Sequence, residues 1–243
     1  MVKKSKEGSK EGSVVKERAD VPLVESPEAL LNKLSGKDSP FVKYRNVILG
    51  GIAIVVLAVA GFVGYRFYVN SQDKEAQSYL FPAAHYFETD SLKKALKGDG
   101  SNDGLTTLAD NYGATKAGGL ANFYAGVAYL KEGKYDEAIQ YLKDFSSSDL
   151  IVQARAYSLL GDAYSEKKDV KEAINYYKKA AEYKPNKYFT PVYLMKLATA
   201  YEQDKDYAAA IEAYDKIITN YFDSSEVTNA KKYKSKLEGL ANN

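Results

Sequence analysis

Eighteen consecutive apolar or glycine residues, "VILGGIAIVVLAVAGFVG" at 47–64, interrupt an otherwise mixed pattern of polar and apolar positions. The run carries no charge, and about 20 such residues cross a hydrocarbon core of about 30 Å as a helix. Aromatic residues flank it like the interfacial belt of a membrane protein, at Tyr44, Tyr65, Phe67 and Tyr68. We therefore predict a transmembrane helix over residues 46–68, which separates a tail, 1–45, from a larger domain, 70–243.

Small residues recur along one side of the predicted span, at spacings of three, seven and four: Gly50, Ala53, Ala60 and Gly64. Such a face allows a neighbouring membrane helix to approach closely. Glycine and alanine are also frequent in membrane helices that have no such role. The pattern is therefore compatible with a docking face and with a plain lipid-facing helix.

The charges around the span predict its orientation. Residues 1–45 contain ten Lys and Arg against seven Asp and Glu, and Lys43 and Arg45 directly precede the span. Basic residues near a span stay in the cytoplasm, so we predict a cytoplasmic N-terminus and an exported C-terminal domain. "AVAG" at 58–61 resembles a cleavage site, but a cleaved signal peptide totals only about 15–30 residues. An uncleaved signal-anchor fits better.

The tail that precedes the span is predicted to be mostly disordered. "MVKKSKEGSKEGSVVKER" at 1–18 is charged and nearly free of large apolar residues. Ser26, Pro27 and Glu28 then read as a helix cap, a first-position proline and a first-turn acid. We expect one short helix near residues 26–35, either as a linker or as a contact for a membrane surface or a cytoplasmic partner.

A repeated pattern fills the domain after the span. A small residue recurs at Gly126, Gly161 and Ala198, and an alanine follows twelve positions later, at Ala138, Ala173 and Ala210. Each small residue is followed after three positions by a tyrosine and after sixteen by a large residue. The period of 35 and 37 residues is typical of tetratricopeptide repeats. The sequence therefore predicts an all-α solenoid with repeats at about 119–152, 154–187 and 191–224, in which Gly161 packs against Ala173 where two helices cross.

Capping segments are expected at both ends of this solenoid, because terminal repeats need a polar outer face. Residues 225–240 carry a single apolar stripe, made by Val227, Ala230, Tyr233, Leu237 and Leu240. At the other end, 72–113 reads as a degenerate repeat, in which apolar positions predict a helix over 72–97. Pro82 is expected to kink or break that helix.

The segment "GDG…GLTTLADNYGATKAGGLANFYAGVAYLKEGKYDEAIQYLKDF", together with one N-terminal anchor, resembles the YfgM-like family. Members of that family are ancillary subunits of the SecYEG translocon, and the resemblance extends over about residues 40–240. It implies a single-pass protein of the cytoplasmic membrane with a periplasmic repeat domain. It also implies SecYEG and the membrane-anchored chaperone PpiD as partners, and a role in handling exported proteins. The longer cytoplasmic tail of this chain departs from the family.

Binding is expected on the first helix of each repeat, which in tetratricopeptide proteins lines the concave surface. By repeat register, the predicted groove residues are Phe123, Val127, Leu130, Arg155, Ser158, Asp162, Met195, Thr199 and Glu202. The apolar residues of the first repeat suit a peptide segment, or they form core beneath the 72–113 helices. The Lys/Asn clamp that binds a peptide carboxylate is missing from these positions.

The sequence offers little for catalysis, so we predict a protein that is not an enzyme and has no cofactor. It contains no cysteine, and the sequence reveals no serine and aspartate partners that would form a catalytic triad with its single histidine, His85. Acidic and hydroxyl residues occupy positions 1, 3, 5 and 12 of a calcium-loop pattern, at Asp99, Ser101, Asp103 and Asp110. Position 12 usually holds glutamate, and a polar loop between helices produces the same pattern.

Three functions thus stand open from the sequence. The first is a scaffold beside the export channel, the second an envelope-assembly or cell-wall scaffold unrelated to Sec, and the third a calcium-dependent binding module. Nucleic-acid binding is disfavoured, since the domain after the span is nearly neutral and its basic residues cluster only in the C-terminal cap.

Overall fold

A computed structural model describes residues 44–241, which form ten α-helices and their connecting loops without any strand in this part of the chain. The all-α prediction is confirmed. The predicted tail, including the helix near 26–35, lies outside the described residues except for positions 44 and 45. The helices are α1 Arg45–Glu88, α2 Leu92–Lys97, α3 Leu105–Tyr112, α4 Lys116–Lys131, α5 Tyr135–Asp144, α6 Leu150–Glu166, α7 Val170–Glu182, α8 Thr190–Gln203, α9 Tyr207–Asn220 and α10 Val227–Ala241.

Helix α1 is the one helix among residues 44–241 that is long and apolar enough to cross a membrane, and its most apolar 18-residue stretch is entirely unburied. The chain divides into two units between Phe62 and Val63. In the described part of the first unit the large apolar side chains are exposed, apart from half-buried Ile48. A surface of this kind is stable in hydrocarbon and unfavourable in water.

Helix α1 continues well beyond the predicted span and passes through Pro82 without a break. The expected helix over 72–97 is instead interrupted at residues 89–91. Asp90 adopts a left-handed φ of 56°, the Ser91 amide donates to the Tyr86 carbonyl at 2.8 Å, and the Asp90 amide donates to Phe87 at 3.1 Å. This is a Schellman ending, so the chain stops the helix by capping its C-terminus rather than by placing proline inside it.

The second unit, from Val63 onward, begins with the later turns of α1 packed on α2, α3 and α4. Ala76, Leu80 and Ala83 enter a core that includes the buried Leu96 and Leu105, along with Leu108, Ala117 and Ala121. Asp73 is also buried, and its carboxylate accepts a hydrogen bond of 2.8 Å from the Ala117 amide in the first turn of α4. A carboxylate at a helix N-terminus satisfies an unpaired amide and interacts favourably with the helix dipole.

Three helical hairpins follow, formed by α4–α5, α6–α7 and α8–α9, and each helix packs on its neighbours in chain order. Helix α10 closes the far end. Ala230 and Leu237 are buried against α9, Tyr233 stacks on Tyr214 with ring centroids 5.9 Å apart, and Lys234 pairs with Asp215 at 2.6 Å. The side chain of Leu240, the last residue of the predicted stripe, is outside the described set.

The small residue on the first helix of a hairpin makes room for a large side chain on the second. A Cβ atom on Gly161 would lie 2.5 Å from two ring carbons of Tyr177, and a Cβ atom on Gly126 would lie 2.6 Å from Cγ of Leu142. The carbonyl oxygen of Ala138, the alanine of the repeat pattern, also lies 3.2 Å from the Cβ position of Gly126, whereas the three nearest atoms at Gly161 all belong to Tyr177. Ala173 is fully buried, but the Tyr177 ring, one turn further along α7, occupies the space that the glycine leaves.

The turns inside the hairpins share one backbone design. Gly133, Lys168 and Lys205 follow the first helices with φ values of 74°, 65° and 63°. After each, the next amide donates back to a carbonyl five positions earlier, as from Asp169 to Tyr164 at 2.9 Å. These are Schellman motifs, in which glycine is favoured, so two of the three hairpins hold a lysine in a conformation that costs it energy.

Candidate protein-binding groove

The first helices of the three hairpins, α4, α6 and α8, carry all nine predicted groove residues, and we call their shared surface the A face. The structure places these residues in three different environments. Those of the first hairpin are largely covered, and two of those of the second make hydrogen bonds within the repeats. In the third hairpin, Met195 and Thr199 border a cavity.

In the first hairpin, Phe123 is only 8 % exposed and packs on Phe145, with ring centroids 5.2 Å apart. Val127 and Leu130 are half-buried against the same or the neighbouring core. Phe145 reaches Phe123 because α5 ends at Asp144, after only 10 residues. Phe123 is therefore a core residue here, and Leu120, 38 % exposed, is the accessible apolar residue of this helix.

In the second hairpin, a polar cluster joins α6 to α8. The Lys196 ammonium lies 2.7 Å from both carboxylate oxygens of Asp162 and 3.1 Å from the Ser158 hydroxyl, and the Tyr177 hydroxyl donates to Asp162 at 2.8 Å. Burial and the charge of Asp162 raise the pKa of Tyr177 above its ordinary value. Ser158 and Asp162 therefore fix adjacent repeats together, and among the predicted residues of α6 only Arg155 is exposed.

The lysine of this cluster was not among the predicted site residues, although the sequence contains a signal for it. Tyr124, Leu159 and Lys196 occupy equivalent positions in the three repeats. A lysine where the first two repeats have large apolar side chains marks a partly buried charge that favours a partner. That partner, Asp162, lies 34 positions earlier, so only the packing of two repeats reveals it.

In the third hairpin, the A face opens into a cavity of about 200 Å³, lined by Ser165, Tyr177, Met195, Lys196, Thr199, Ala200 and Gln203. Met195 is half-buried and Thr199 is exposed, so both are accessible from this cavity. Glu202 accepts a hydrogen bond of 2.5 Å from the Tyr214 hydroxyl of α9 and thus braces its own hairpin. Four of the seven lining residues of the cavity are polar or charged, and Met195 and Ala200 are its aliphatic ones.

The calcium-loop residues do not assemble into a metal site. No group of three or more His, Cys, Asp or Glu that could hold a metal occurs in the described part of the chain. The Asp99 carboxylate instead accepts hydrogen bonds from the Ser101 and Asn102 amides, the Asn102 side chain and the Tyr86 hydroxyl. These bonds, the one from Tyr86 foremost, hold the pKa of Asp99 well below its usual range.

This loop is shaped by glycine as well. Gly98 has a φ of 84°, and a Cβ atom on Gly104 would lie 2.3 Å from the Leu96 carbonyl oxygen. Ser101 and Asp103 are exposed in the loop, and Asp110 is exposed on α3. Asp99, Ser101 and Asp103 thus belong to a tight turn that joins α2 to α3, and Asp110 follows on α3.

Two further predicted features lie apart from the groove. His85 is exposed on α1, with its ring 6.4 Å from that of Tyr86. The small-residue face of the span, Gly50, Ala53, Ala60 and Gly64, is exposed as well, and a Cβ atom on either glycine would meet no atom within 4 Å.

Comparison with known proteins agrees with this architecture. Two tetratricopeptide-repeat family models match the chain, one over residues 152–221 and one over residues 120–148. No curated protein sequence shows a significant match.

The fold is similar to crystal structures of nearly identical TPR-like repeats from a Podosopora anserina protein described as a kinesin light chain. One superposes with a TM-score of 0.51 at 14% identity, covering 70% of this chain and 93% of the other. A variant form of the same protein gives 0.52 at 13% identity, with 70% and 92% covered. At these identities the likeness concerns the fold alone. The three hairpins with their shared packing and turns, and the two family matches, show that residues 120–221 carry tetratricopeptide repeats.

Proposed function

We propose that this chain is a non-enzymatic, membrane-anchored scaffold that binds proteins on the A face of its repeats, as an accessory of the protein-export translocon and of periplasmic chaperones. One observation carries the proposal: a single chain combines one bare apolar helix of spanning length with repeats whose A face is open at the third hairpin. Tetratricopeptide repeats are protein-interaction modules. Their attachment to such a helix confines the interaction to a membrane surface.

The accessible part of the A face defines the proposed contact residues. Arg155, Val192 and Thr199 are exposed on α6 and α8, and Met195 borders the cavity. A cation, the thioether of Met195 and a hydroxyl suit a polypeptide segment that presents one apolar side chain with polar or acidic neighbours. Ser158, Asp162 and Glu202 support this surface from below, through the bonds that hold α6, α7, α8 and α9 together.

The resemblance to the YfgM-like family supplies the identity of the proposed partners, SecYEG and a chaperone such as PpiD. It also supplies the proposed location, with the N-terminus in the cytoplasm and the repeats in the periplasm. Within the membrane, the exposed small-residue face that includes Gly50 and Gly64 is proposed to dock a partner's helix, because closely packed membrane helices favour such residues at their contact.

Affinity purification of the chain from detergent-solubilised membranes, with identification of the bound proteins, tests this function. We expect SecY or a periplasmic chaperone to copurify. Arg155→Ala and Met195→Ala should reduce its recovery by roughly tenfold, as loss of an interface anchor of about 1.4 kcal/mol does. Asn175→Ala, on the exposed side of α7, is the matched control and should bind as wild type. Recovery of cell-wall or division proteins alone would favour an envelope-assembly scaffold instead.

Protease accessibility tests the proposed orientation separately. Protease added to spheroplasts should digest residues 70–243 and leave the tail intact. Protection of the repeats under the same conditions would contradict both the proposed location and the function that depends on it.

A further inference from the structure

An aromatic stack joins the two helices of the first hairpin, and another joins those of the second. The ring centroids of Tyr129 and Tyr141 are 5.5 Å apart, and those of Tyr164 and Tyr176 are 5.4 Å apart. The ring planes diverge by only 18° and 9°, so both pairs are stacked. In each pair the first ring follows the small residue of the repeat by three positions and the second ring follows it by fifteen. The stack is therefore a feature of the repeat.

The third repeat has only one ring of this stack. The equivalent positions hold Tyr201 and Ala213, and no other ring lies within stacking distance of Tyr201 among the described side chains. Helices α7 and α9 both pack on α8 but have not closed over the missing ring. A cavity of about 370 Å³ remains between them, lined by Tyr201, Ala213 and their neighbours, and we call it the ring pocket. Its volume is in the range of ligand sites.

Each ring of the stack in the second hairpin has a lysine beside it. The Lys143 ammonium lies 5.4 Å from the ring centroid of Tyr164, and the Lys179 ammonium lies 4.6 Å from that of Tyr176. A cation over the face of an aromatic ring is attracted by the negative charge of that face. Two rings and two ammonium groups therefore form one cluster in this hairpin.

The third hairpin retains both lysines of this cluster. The equivalents, Lys178 and Lys216, line the ring pocket, and neither lies over an aromatic ring in residues 44–241. They pair instead with Glu182 and Glu212, four positions away, at 3.9 and 2.8 Å. Exposed pairs of this kind are weak, and the two lysines and two glutamates leave the rim without net charge. Three members of the cluster thus surround the empty place of the fourth, which is a ring.

The ring pocket is longer than one ring. The second hairpin also contains an edge-on pair, Tyr157 and Tyr183, with centroids 5.9 Å apart. The equivalent residues of the third hairpin, Leu194 and Asn220, both line the pocket. The lining extends along about three turns of α8, or roughly 16 Å, which about five residues of extended chain would cover. Its length suits a polypeptide segment that presents a ring, rather than an isolated ring.

The ring pocket and the A face are on opposite sides of α8. Leu194, Leu197 and Tyr201 line the pocket, whereas Met195 and Thr199 line the cavity of the A face. At 3.6 residues per turn, these two sets are about half a turn apart around the helix. No residue lines both cavities, so a ligand in one leaves the other free.

We infer that the ring pocket binds a tyrosine or phenylalanine side chain of a partner polypeptide, with the ring stacked on Tyr201 and beside Lys178 and Lys216. The ring takes the place that Tyr141 and Tyr176 fill in the first two hairpins. Stacking and the two cations favour an aromatic ring over an aliphatic side chain of similar size. The pocket gives the repeats a second contact for proteins, which does not depend on the A face.

Ala213→Tyr supplies the missing ring from within the chain and tests the shape of the pocket. In the full-length protein in mild detergent, it should raise the melting temperature by roughly 2–4 °C. Ala210→Tyr is the matched control on the same helix. Ala210 is fully buried and is not part of the pocket lining, so this change should lower the melting temperature by several degrees. If Ala213→Tyr melts at or below the wild-type temperature, the space does not fit a ring and the inference is overturned.

Disulfide tethering measures the preference for a ring, because the chain contains no cysteine. Glu212→Cys places a thiol at the rim, and Asn175→Cys places one at the equivalent position of α7, beside the existing ring of Tyr176. Each full-length variant is equilibrated with 4-hydroxyphenyl and cyclohexyl derivatives of cystamine under mild reduction, and the mixed disulfides are quantified by mass spectrometry. At Glu212→Cys the 4-hydroxyphenyl fragment should exceed the cyclohexyl fragment about fivefold, with no such excess at Asn175→Cys. Equal ratios at the two positions overturn the inference.

Crosslinking in living cells tests the partner. An aliphatic diazirine amino acid at Glu182 cannot itself fill the place of a ring, and it should crosslink to a segment of another protein that contains tyrosine or phenylalanine. Adding Ala213→Tyr should reduce this product about fivefold and leave crosslinking from Met195 unchanged, which separates the ring pocket from the A face. No product at Glu182, or a product that Ala213→Tyr does not reduce, overturns the inference. A crosslinked peptide of this chain would assign the pocket to a second copy and overturn the separate partner.

Discussion

Replacing Gly161 with leucine tests the packing that defines the repeats. A Cβ atom at this position would lie 2.5 Å from Cδ1 and Cε1 of Tyr177, whereas carbon atoms in contact prefer about 3.5–4.0 Å. The ring cannot retreat, since Tyr177 is buried and its hydroxyl is bonded to Asp162, which also holds Lys196. Leucine adds three more carbons to this overlap.

The expected cost follows from two opposing effects. Overpacking a filled core costs about 1–3 kcal/mol, and the better helix propensity of leucine returns about 0.8 kcal/mol. At roughly 2–4 °C per kcal/mol for a domain of this size, we expect Gly161→Leu to lower the melting temperature by several degrees.

The control for this variant is another helical glycine. A Cβ atom on Gly119 in α4 would meet no atom within 4 Å, so Gly119→Leu should leave the melting temperature unchanged or raise it slightly. Thermal melting of both variants in mild detergent makes the comparison. If Gly161→Leu melts with the wild type, α6 and α7 do not approach as described, and the register that defines the A face is wrong.

Three further predictions concern stability, each measured by urea unfolding in mild detergent. Lys168→Gly should stabilise the protein by about 1 kcal/mol, because it relieves a left-handed lysine, whereas Gly133→Ala should destabilise it by a similar amount; opposite signs would refute the turn geometry. Asp73→Ala should lower the free energy of unfolding by about 1–3 kcal/mol, because it leaves the buried Ala117 amide without its acceptor. An unchanged free energy of unfolding would contradict the contact between α1 and α4. Burial raises the pKa of Tyr177. As the pH rises, its hydroxyl therefore loses the proton in the unfolded chain before it does so in the folded protein. The stabilisation that protonated Tyr177 gives the folded protein is complete below about pH 10 and declines above it. The loss of unfolding free energy in Tyr177→Phe should therefore shrink by about 1.4 kcal/mol per pH unit above pH 10. A constant deficit from pH 8 to 11 would contradict this reasoning.

The repeat period and the helix pairs were predictable because they depend on local spacing. Gly126, Gly161 and the alanines twelve positions later are visible in the sequence, since close helix contact requires small side chains there. What each glycine faces was not predictable in detail. The ring of Tyr177 enters the gap beside Gly161 because its hydroxyl is held by Asp162, and that bond depends on the angle between α6 and α7.

The composition of the A face was predictable only in part, because burial there depends on distant residues. Phe123 is a core residue since α5 is short and Phe145 folds back on it. Asp162 is engaged since Lys196 arrives from the next repeat. The end of α1 was mispredicted because we took Pro82 as the signal for a kink or a break. The helix continues through that proline and ends later, at the Schellman bonds around Asp90.

Photocrosslinking from the A face tests the central claim most directly, because it reports contact in the intact membrane. A benzophenone amino acid at Met195 should crosslink to a protein partner in living cells, with a translocon subunit, a chaperone or an exported chain recovered. The same group at Asn175, on the exposed side of α7, should give no such product. Equal crosslinking at both positions, or none at Met195, would contradict the account of a scaffold that binds proteins on the A face.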